Sequence, residues 1–254
     1  MTARSVALRL VLFWLIVLPG AAFADLPATI ERVKPSIVAI GTYKKTQSPP
    51  FVFRGTGFVT GDGTQVVTNA HVLPEAGIPD APELAVLTRP SQGSATLRRA
   101  RVITRLDERD IALIRLEGPA LPALQIGDSG SVREGQPIAF TGFPIGGALG
   151  FSPVTHRGIV AAITPIALPG GNANQINEKL IKQLKRGSFE IFQLDATAYP
   201  GNSGSPVYDA ETGVVVGIIN MVFVKGSKEA ALSAPSGISY AIPAIYVQQL
   251  LHGN

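Results

Sequence analysis

Asp195-Ala-Thr-Ala-Tyr-Pro-Gly-Asn-Ser-Gly-Ser-Pro-Val207 is the stretch on which the reading of this 254-residue chain turns. An apolar run, Ile191 to Leu194, enters it and a second, Val214 to Val222, follows soon after. It therefore reads as a tight turn between two strands, with Ser203 on the turn. Gly201 and Gly204 leave the Ser203 hydroxyl unshielded and permit backbone conformations in which the amides of Gly201 and Ser203 stay unpaired. Two N–H groups beside one hydroxyl have the makings of an oxyanion hole. A serine hydroxyl is a poor nucleophile by itself, so this chemistry needs a histidine base and an orienting carboxylate elsewhere in the chain. Gly, Asn, Ser and Pro are also ordinary turn residues, and the stretch alone suits a plain turn equally well.

Outward from this turn, β signals recur at short spacing. In the first half they cover Ser36 to Tyr43, Phe51 to Thr60, Gln65 to Asn69, Leu84 to Thr88, Ala95 to Arg105 and Asp110 to Leu116. In the second they cover Pro137 to Gly142, Val154 to Thr164, Phe189 to Leu194, Pro206 to Tyr208, Val214 to Val222 and Ile238 to Ile242. Gly, Pro, Ser and Asp clusters separate them, and Gly118-Pro-Ala-Leu-Pro122 reads as a linker. The expected fold is all-β: two six-stranded antiparallel barrels, residues 25–122 and 123–254, with a short amphipathic lead from Leu26 to Val33 and a C-terminal helix from Ala244 to Leu251. The halves show no sequence repetition, so a repeat array is not expected. A cleft between barrels is the expected place for a site.

Residues 1–24 read as a secretory signal, with Arg4 and Arg9 before the apolar run Leu10 to Leu18 and a small-residue cleavage site at Ala22-Phe23-Ala24. That run is too short to span a bilayer core of about 30 Å, so no stable membrane span is expected once the signal is cleaved. Cleavage removes two arginines and no acid, lowering the formal charge from +4 to +2. No basic run is interleaved with aromatics, so nucleic-acid binding is not expected, and the clusters Arg98 to Arg101 and Lys179 to Arg186 read as solvated faces. The chain has no cysteine, which removes disulfides, thiol nucleophiles and Cys-based metal sites. Neither a metal nor a cofactor is called for.

Only three histidines are available as a base. His71 lies at a strand end in Val67-Thr-Asn-Ala-His-Val-Leu73, His156 falls mid-hairpin and is expected to be exposed, and His252 is expected to be solvated on the terminal helix. For the carboxylate, Asp110 precedes the apolar run Ile111 to Leu116, which should carry it into the interior, where the N–H of His71 is the obvious partner. Asp62, Asp107 and Glu108 occupy polar turns.

Thr68-Asn-Ala-His-Val72, Asp110-Ile-Ala-Leu113 and Gly201-Asn-Ser-Gly204 together resemble the chymotrypsin-like serine peptidases, and more closely their HtrA (Deg) branch. The likeness extends to Gly55-Thr-Gly-Phe-Val59, Gly127-Asp-Ser129, Gly142-Phe-Pro144, Gly158-Ile-Val160, Asp195-Ala196 and Gly237-Ile-Ser-Tyr-Ala-Ile-Pro243. The resemblance implies a trypsin-like double barrel and a serine endopeptidase acting on polypeptide. Ser203 would be the nucleophile, His71 the base and later acid, Asp110 the orienter, and the amides of Gly201 and Ser203 the oxyanion hole. Candidate pocket segments contribute Thr197, Ala198, Ile219 and Asn220, which carry no charge, so small aliphatic residues are expected on the acyl side of the cut.

Some features depart from the family. Its members usually carry PDZ domains after the protease, and this sequence ends just past the terminal helix, so control by an in-chain PDZ domain is not expected. Ser205 stands where a second glycine is usual, which makes the string similar to bacterial glutamyl endopeptidases, but Gly217-Ile-Ile-Asn-Met221 offers no pocket histidine for an acidic side chain. Asn202 replaces the aspartate that precedes the nucleophile in digestive relatives. The segment Pro165 to Ser188 is long for the family. It contains a helix signal from the Asn174 cap to the Gly187 stop, with Ile176, Leu180, Ile181 and Leu184 on one face, readable as a plain surface insertion or as a lid over the Ser203 loop. Trimers are common in the family, through N-terminal contacts with no match here, so the oligomeric state stays open. A catalytically silent, polypeptide-binding double barrel and an esterase using the same serine are the competing functions.

Overall fold

The first apolar segment becomes strand β1 (Ile37–Tyr43) in the computed structural model, which describes residues 25–75, 77–89, 95–146, 150–165, 189–220 and 237–252. It is followed by β2 (Phe51–Thr60), β3 (Gln65–Thr68), β4 (Glu83–Thr88), β5 (Thr96–Leu106) and β6 (Ile111–Leu116). These pair antiparallel and close in the order β1-β2-β3-β6-β5-β4. The second barrel comprises β7 (Pro137–Gly142), β8 (Val154–Pro165), β9 (Glu190–Asp195), β10 (Pro206–Asp209), β11 (Val215–Ile219) and β12 (Ile238–Pro243), closed as β10-β11-β12-β9-β8-β7. The expected pair of six-stranded barrels is what forms. Closure leaves neither sheet with a free edge. The signal segment and the helix expected between Asn174 and Gly187 lie outside the described residues.

Each barrel has its own apolar filling. Val38, Ile40, Val59, Val66 and Ile114 are among the fully buried residues of the first, and Ile138, Phe140, Val160 and Leu194 of the second. A third cluster joins the two and includes Phe58, Ile111, Phe189, Ile218, Val247 and Leu250. Fully burying a side chain of this size is worth about 1.5–3 kcal/mol. In the second barrel the buried Tyr208 hydroxyl meets Thr141 Oγ1 at 2.8 Å, and that oxygen meets Thr155 Oγ1 at 2.8 Å. Burial pushes the Tyr208 phenol up from its ordinary value, and the threonine hydroxyls partly offset this.

Two helices cross from one half to the other. Helix α1 (Leu26–Val33) precedes the first barrel but lies on the second, where Thr29 Oγ1 donates to Glu211 O at 2.9 Å and Gly213 sits against Thr29 and Val33. Helix α2 (Ile245–His252) follows the second barrel and packs against β6 of the first, burying Val247 and Leu250. The site lies at the seam that these helices tie.

Candidate active site

Strand β3 ends at Thr68, and the chain then makes one 3-10 turn, Ala70–Val72. Ala70 and Val72 are buried, which leaves His71 between them facing out of the barrel with 36% of its side chain exposed. Asp110 caps the turn before β6 in the left-handed region, φ +54°, which aspartate tolerates better than most residues. Its carbonyl accepts from Ala70 N at 3.2 Å and from Asn69 Nδ2 at 2.9 Å. Carboxylate Oδ1 accepts from His71 N at 2.9 Å, and Oδ2 pairs with His71 Nδ1 at 2.6 Å and accepts from Asn220 Nδ2 at 2.7 Å. The pairing with His71 is the expected one. The placement differs, because the left-handed turn holds the carboxylate in the cleft, 20% exposed, instead of inside a barrel. An ionised carboxylate only accepts, so in this pair His71 Nδ1 is the donor.

Ser203 comes from the second barrel. Gly201 (φ +104°) and Gly204 (φ +88°) flank it in conformations that favour glycine, and a Cβ would strike Phe143 O at the first and Thr56 O at the second. The turn is fastened on both sides. Asn202 N donates to Tyr199 O at 2.9 Å, Gly204 N to Ile219 O at 3.0 Å, Ser205 N to Asn202 O at 2.9 Å, and Ile145 N to Pro200 O at 2.7 Å. Against this background the amides of Gly201 and Ser203 have no acceptor among the described residues. Two unpaired donors side by side are what an oxyanion requires.

Thr56, to which the sequence assigned no role, joins the turn to the first barrel. Its N–H donates to Ser203 O at 2.9 Å, its hydroxyl donates to Gly201 O at 2.7 Å and accepts from Phe143 N at 3.1 Å, and its carbonyl accepts from Thr68 Oγ1 at 2.7 Å. Three residues past Thr68 is His71, so the Ser203 turn is bonded to the same stretch of β2 and β3 that positions the histidine. The only sequence trace of this is the Gly55-Thr-Gly57 string.

The expected pocket residues divide. Thr197 is half-buried and Ala198 buried, and Ala198 N donates at 2.9 Å to Ser239 Oγ, a residue the sequence reading did not single out. Two placements are corrected. Ile219 is fully buried within the second barrel's core cluster, and Asn220, just past the end of β11, turns its amide to Asp110 instead of to a pocket. His156 is also corrected. It is half-buried, its ring stacks on Phe140 at 4.8 Å, its Nε2 is buried with no partner among the described residues, and desolvation lowers its pKa from 6.5. His252 is exposed, as expected, with Nδ1 2.7 Å from Gln248 O.

Asn202 is wholly buried, and neither side-chain polar atom has a partner among the described residues. An aspartate there would bury an unpaired charge, which accounts for the neutral residue. Among the described residues no group of three His, Cys, Asp or Glu side chains could hold a metal ion, and no helix is long and apolar enough to cross a membrane.

The trypsin-like peptidase domain matches residues 55–218, from the Thr56 segment through His71, Asp110 and Ser203 to β11. The chain belongs to the trypsin-like peptidase family. The proteins it is similar to include serine proteases of the DegP and HtrA type. It is 31% identical over 189 residues to a "Probable periplasmic serine endoprotease DegP-like" of Pseudomonas fluorescens, covering 74% of this chain and 32% of that one. It is 28% identical over 226 residues to serine protease HTRA1A of Danio rerio, covering 87% and 40%. The trypsin-like chain thus spans about a third to two fifths of the length of these relatives. Its fold matches that of the HtrA-type protease AlgW, solved as a variant with a tripeptide, at a TM-score of 0.61 and 23% identity over 90% of this chain and 62% of that one.

Proposed function

We propose that this trypsin-like peptidase is an exported serine endopeptidase that cuts polypeptides through an acyl-enzyme. The observation that carries the reading is that His71 Nδ1 is held by Asp110 at 2.6 Å while the amides at 201 and 203 have no acceptor among the described residues. In the first half-reaction Ser203 Oγ attacks the scissile carbonyl and His71 Nε2 takes its proton. The carbonyl oxygen becomes an oxyanion received by the amides of Gly201 and Ser203, and Asp110 stabilises the imidazolium. His71 then gives the proton to the leaving amine as the C–N bond breaks. Water repeats the sequence on the ester and restores Ser203.

The substrates are unfolded or exposed polypeptide segments, with a small aliphatic residue on the acyl side of the cut. Thr197 and Ala198 offer no charge to pair with a charged side chain, and burying one unpaired is costly. Export is supported by the leader-like residues 1–24 and by the word periplasmic in the relatives' names.

Replacing Ser203 tests the chemistry. Ser203→Ala is expected to lower kcat by about 10⁶ and to abolish labelling by a fluorophosphonate probe. Labelling of Ser203→Ala equal to that of the unaltered chain would overturn the assignment. Digestion of an unfolded protein with mapped cut sites tests the pocket, and cuts following mainly charged residues would refute it.

A further inference from the structure

The residue just before Asp110 sends its side chain out of the first barrel. Arg109 lies in the tight turn Asp107 to Asp110, its N–H donating to Leu106 O at 3.0 Å and that of Asp110 to Asp107 O at 3.3 Å. Its guanidinium lies 4.4 Å from the centroid of the Phe189 ring and 5.1 Å from that of Tyr246, and the two rings meet edge to face at 5.5 Å. Both rings belong to the second half: Phe189 is buried at the entrance to β9, and Tyr246 lies on α2. Arg109 Nη1 is buried with no hydrogen-bond acceptor among the described residues. The neighbouring Asp107 and Glu108 are exposed. An arginine on a surface turn ordinarily leaves its donors in water, whereas this one takes ring faces instead, as a planar, weakly hydrated cation can.

The consequence falls on Asp110. Its left-handed backbone is held in place by its surroundings. Asn69, Ala70 and His71 hold it from the first barrel, and Asn220 reaches Oδ2 from the second at 2.7 Å. That last bond forms only while the barrels keep their register at this point, and one residue away Arg109 bridges the same seam. We infer that Arg109 is a positioning residue for the His71–Asp110 pair, an inter-barrel clamp seated on Phe189 and Tyr246. The inference rests on the roles proposed above for His71 and Asp110.

Arg109→Lys keeps the charge and removes the planar face, while the double variant Phe189→Leu/Tyr246→Leu removes the seat and keeps Arg109. Both are to be made in the full chain, with two measurements: peptide turnover, and the proton and nitrogen NMR resonances of His71 Nδ1–H, identified by their loss in His71→Ala. Each variant is expected to broaden or lose that resonance and to lower kcat about tenfold with KM within twofold. Adding Arg109→Lys to the double variant should have little further effect. A resonance and a kcat unchanged in both would overturn the clamp even if thermal stability fell, since a purely structural contact predicts that result. The NMR signal does not depend on turnover, so a chain that cleaves nothing refutes the proposed peptidase while the signal still decides the clamp.

Discussion

Asn220 gives its side-chain amide to Asp110 Oδ2, the same oxygen that holds the His71 ring. A hydrogen bond to a charged acceptor is worth about 1.5–3 kcal/mol, so Asn220→Ala is expected to lower kcat/KM about ten- to a hundredfold, measured by peptide turnover. Unchanged turnover would remove Asn220 from the machinery. His156 bears on stability instead. Desolvation holds its pKa in the fold below 6.5, so the unfolded chain takes the proton first. Its contribution is therefore intact above about pH 6.5 and is lost as pH falls toward the lower value in the fold. The drop in Tm between pH 7 and 5 should be smaller in His156→Phe than in the unaltered chain, and equal drops would contradict this. His71, Asp110 and Ser203 could be singled out from the sequence because their residue types and flanking glycines carry a chemical requirement. The orientation of Asn220 was not legible, since it depends on which side of the last β11 residue faces the other barrel. Thr56 was missed for a similar reason: its hydroxyl bonds to Gly201, 145 positions away.

Among the strands, the Thr141 hydroxyl sits between the hydroxyls of Tyr208 and Thr155, linking β7 to β10 and β8 across the second barrel. Thr141→Val keeps the shape and strips both partners, so it should cost about 1–3 kcal/mol of unfolding free energy. Removing all three hydroxyls together, with Thr155→Val and Tyr208→Phe, should cost less than the single change, as chemical denaturation can show. A neutral Thr141→Val would mean that the chain of hydroxyls contributes nothing. The strands themselves were readable to within a residue at either end, apart from β11, expected to run to Val222 and ending at Ile219, because turn residues punctuate them. Even β5, with Arg98, Arg99, Arg101 and Arg105 and little burial, was legible from its length between turns, and pairing with β4 and β6 holds it. The C-terminal helix was legible as a helix and α1 only as an amphipathic lead, and for neither was the barrel it would lie on legible, because an amphipathic face states that it needs cover and not whose.

At the scale of the molecule, twelve strands divided by a Pro-rich linker already pointed to two barrels. What no local pattern carries is the seam: α1 and α2 strapped to the opposite barrels, Thr56 under the Ser203 turn, and Arg109 against Phe189 and Tyr246. These contacts join residues far apart in the chain, and at the seam the Ser203 turn of one barrel is bonded to Thr56 of the other and Asn220 to Asp110. On the proposed roles, that division sets when the enzyme becomes dangerous. Synthesis proceeds from the amino end, and a domain that emerges first can close first. A chain whose first barrel is complete at Leu116 holds a base and an acid with no nucleophile. Ser203 joins them only after the second barrel has closed and docked. Until then the chain has no means of cutting its own unfinished siblings, whose exposed, unfolded segments are the class of polypeptide proposed above as its substrate.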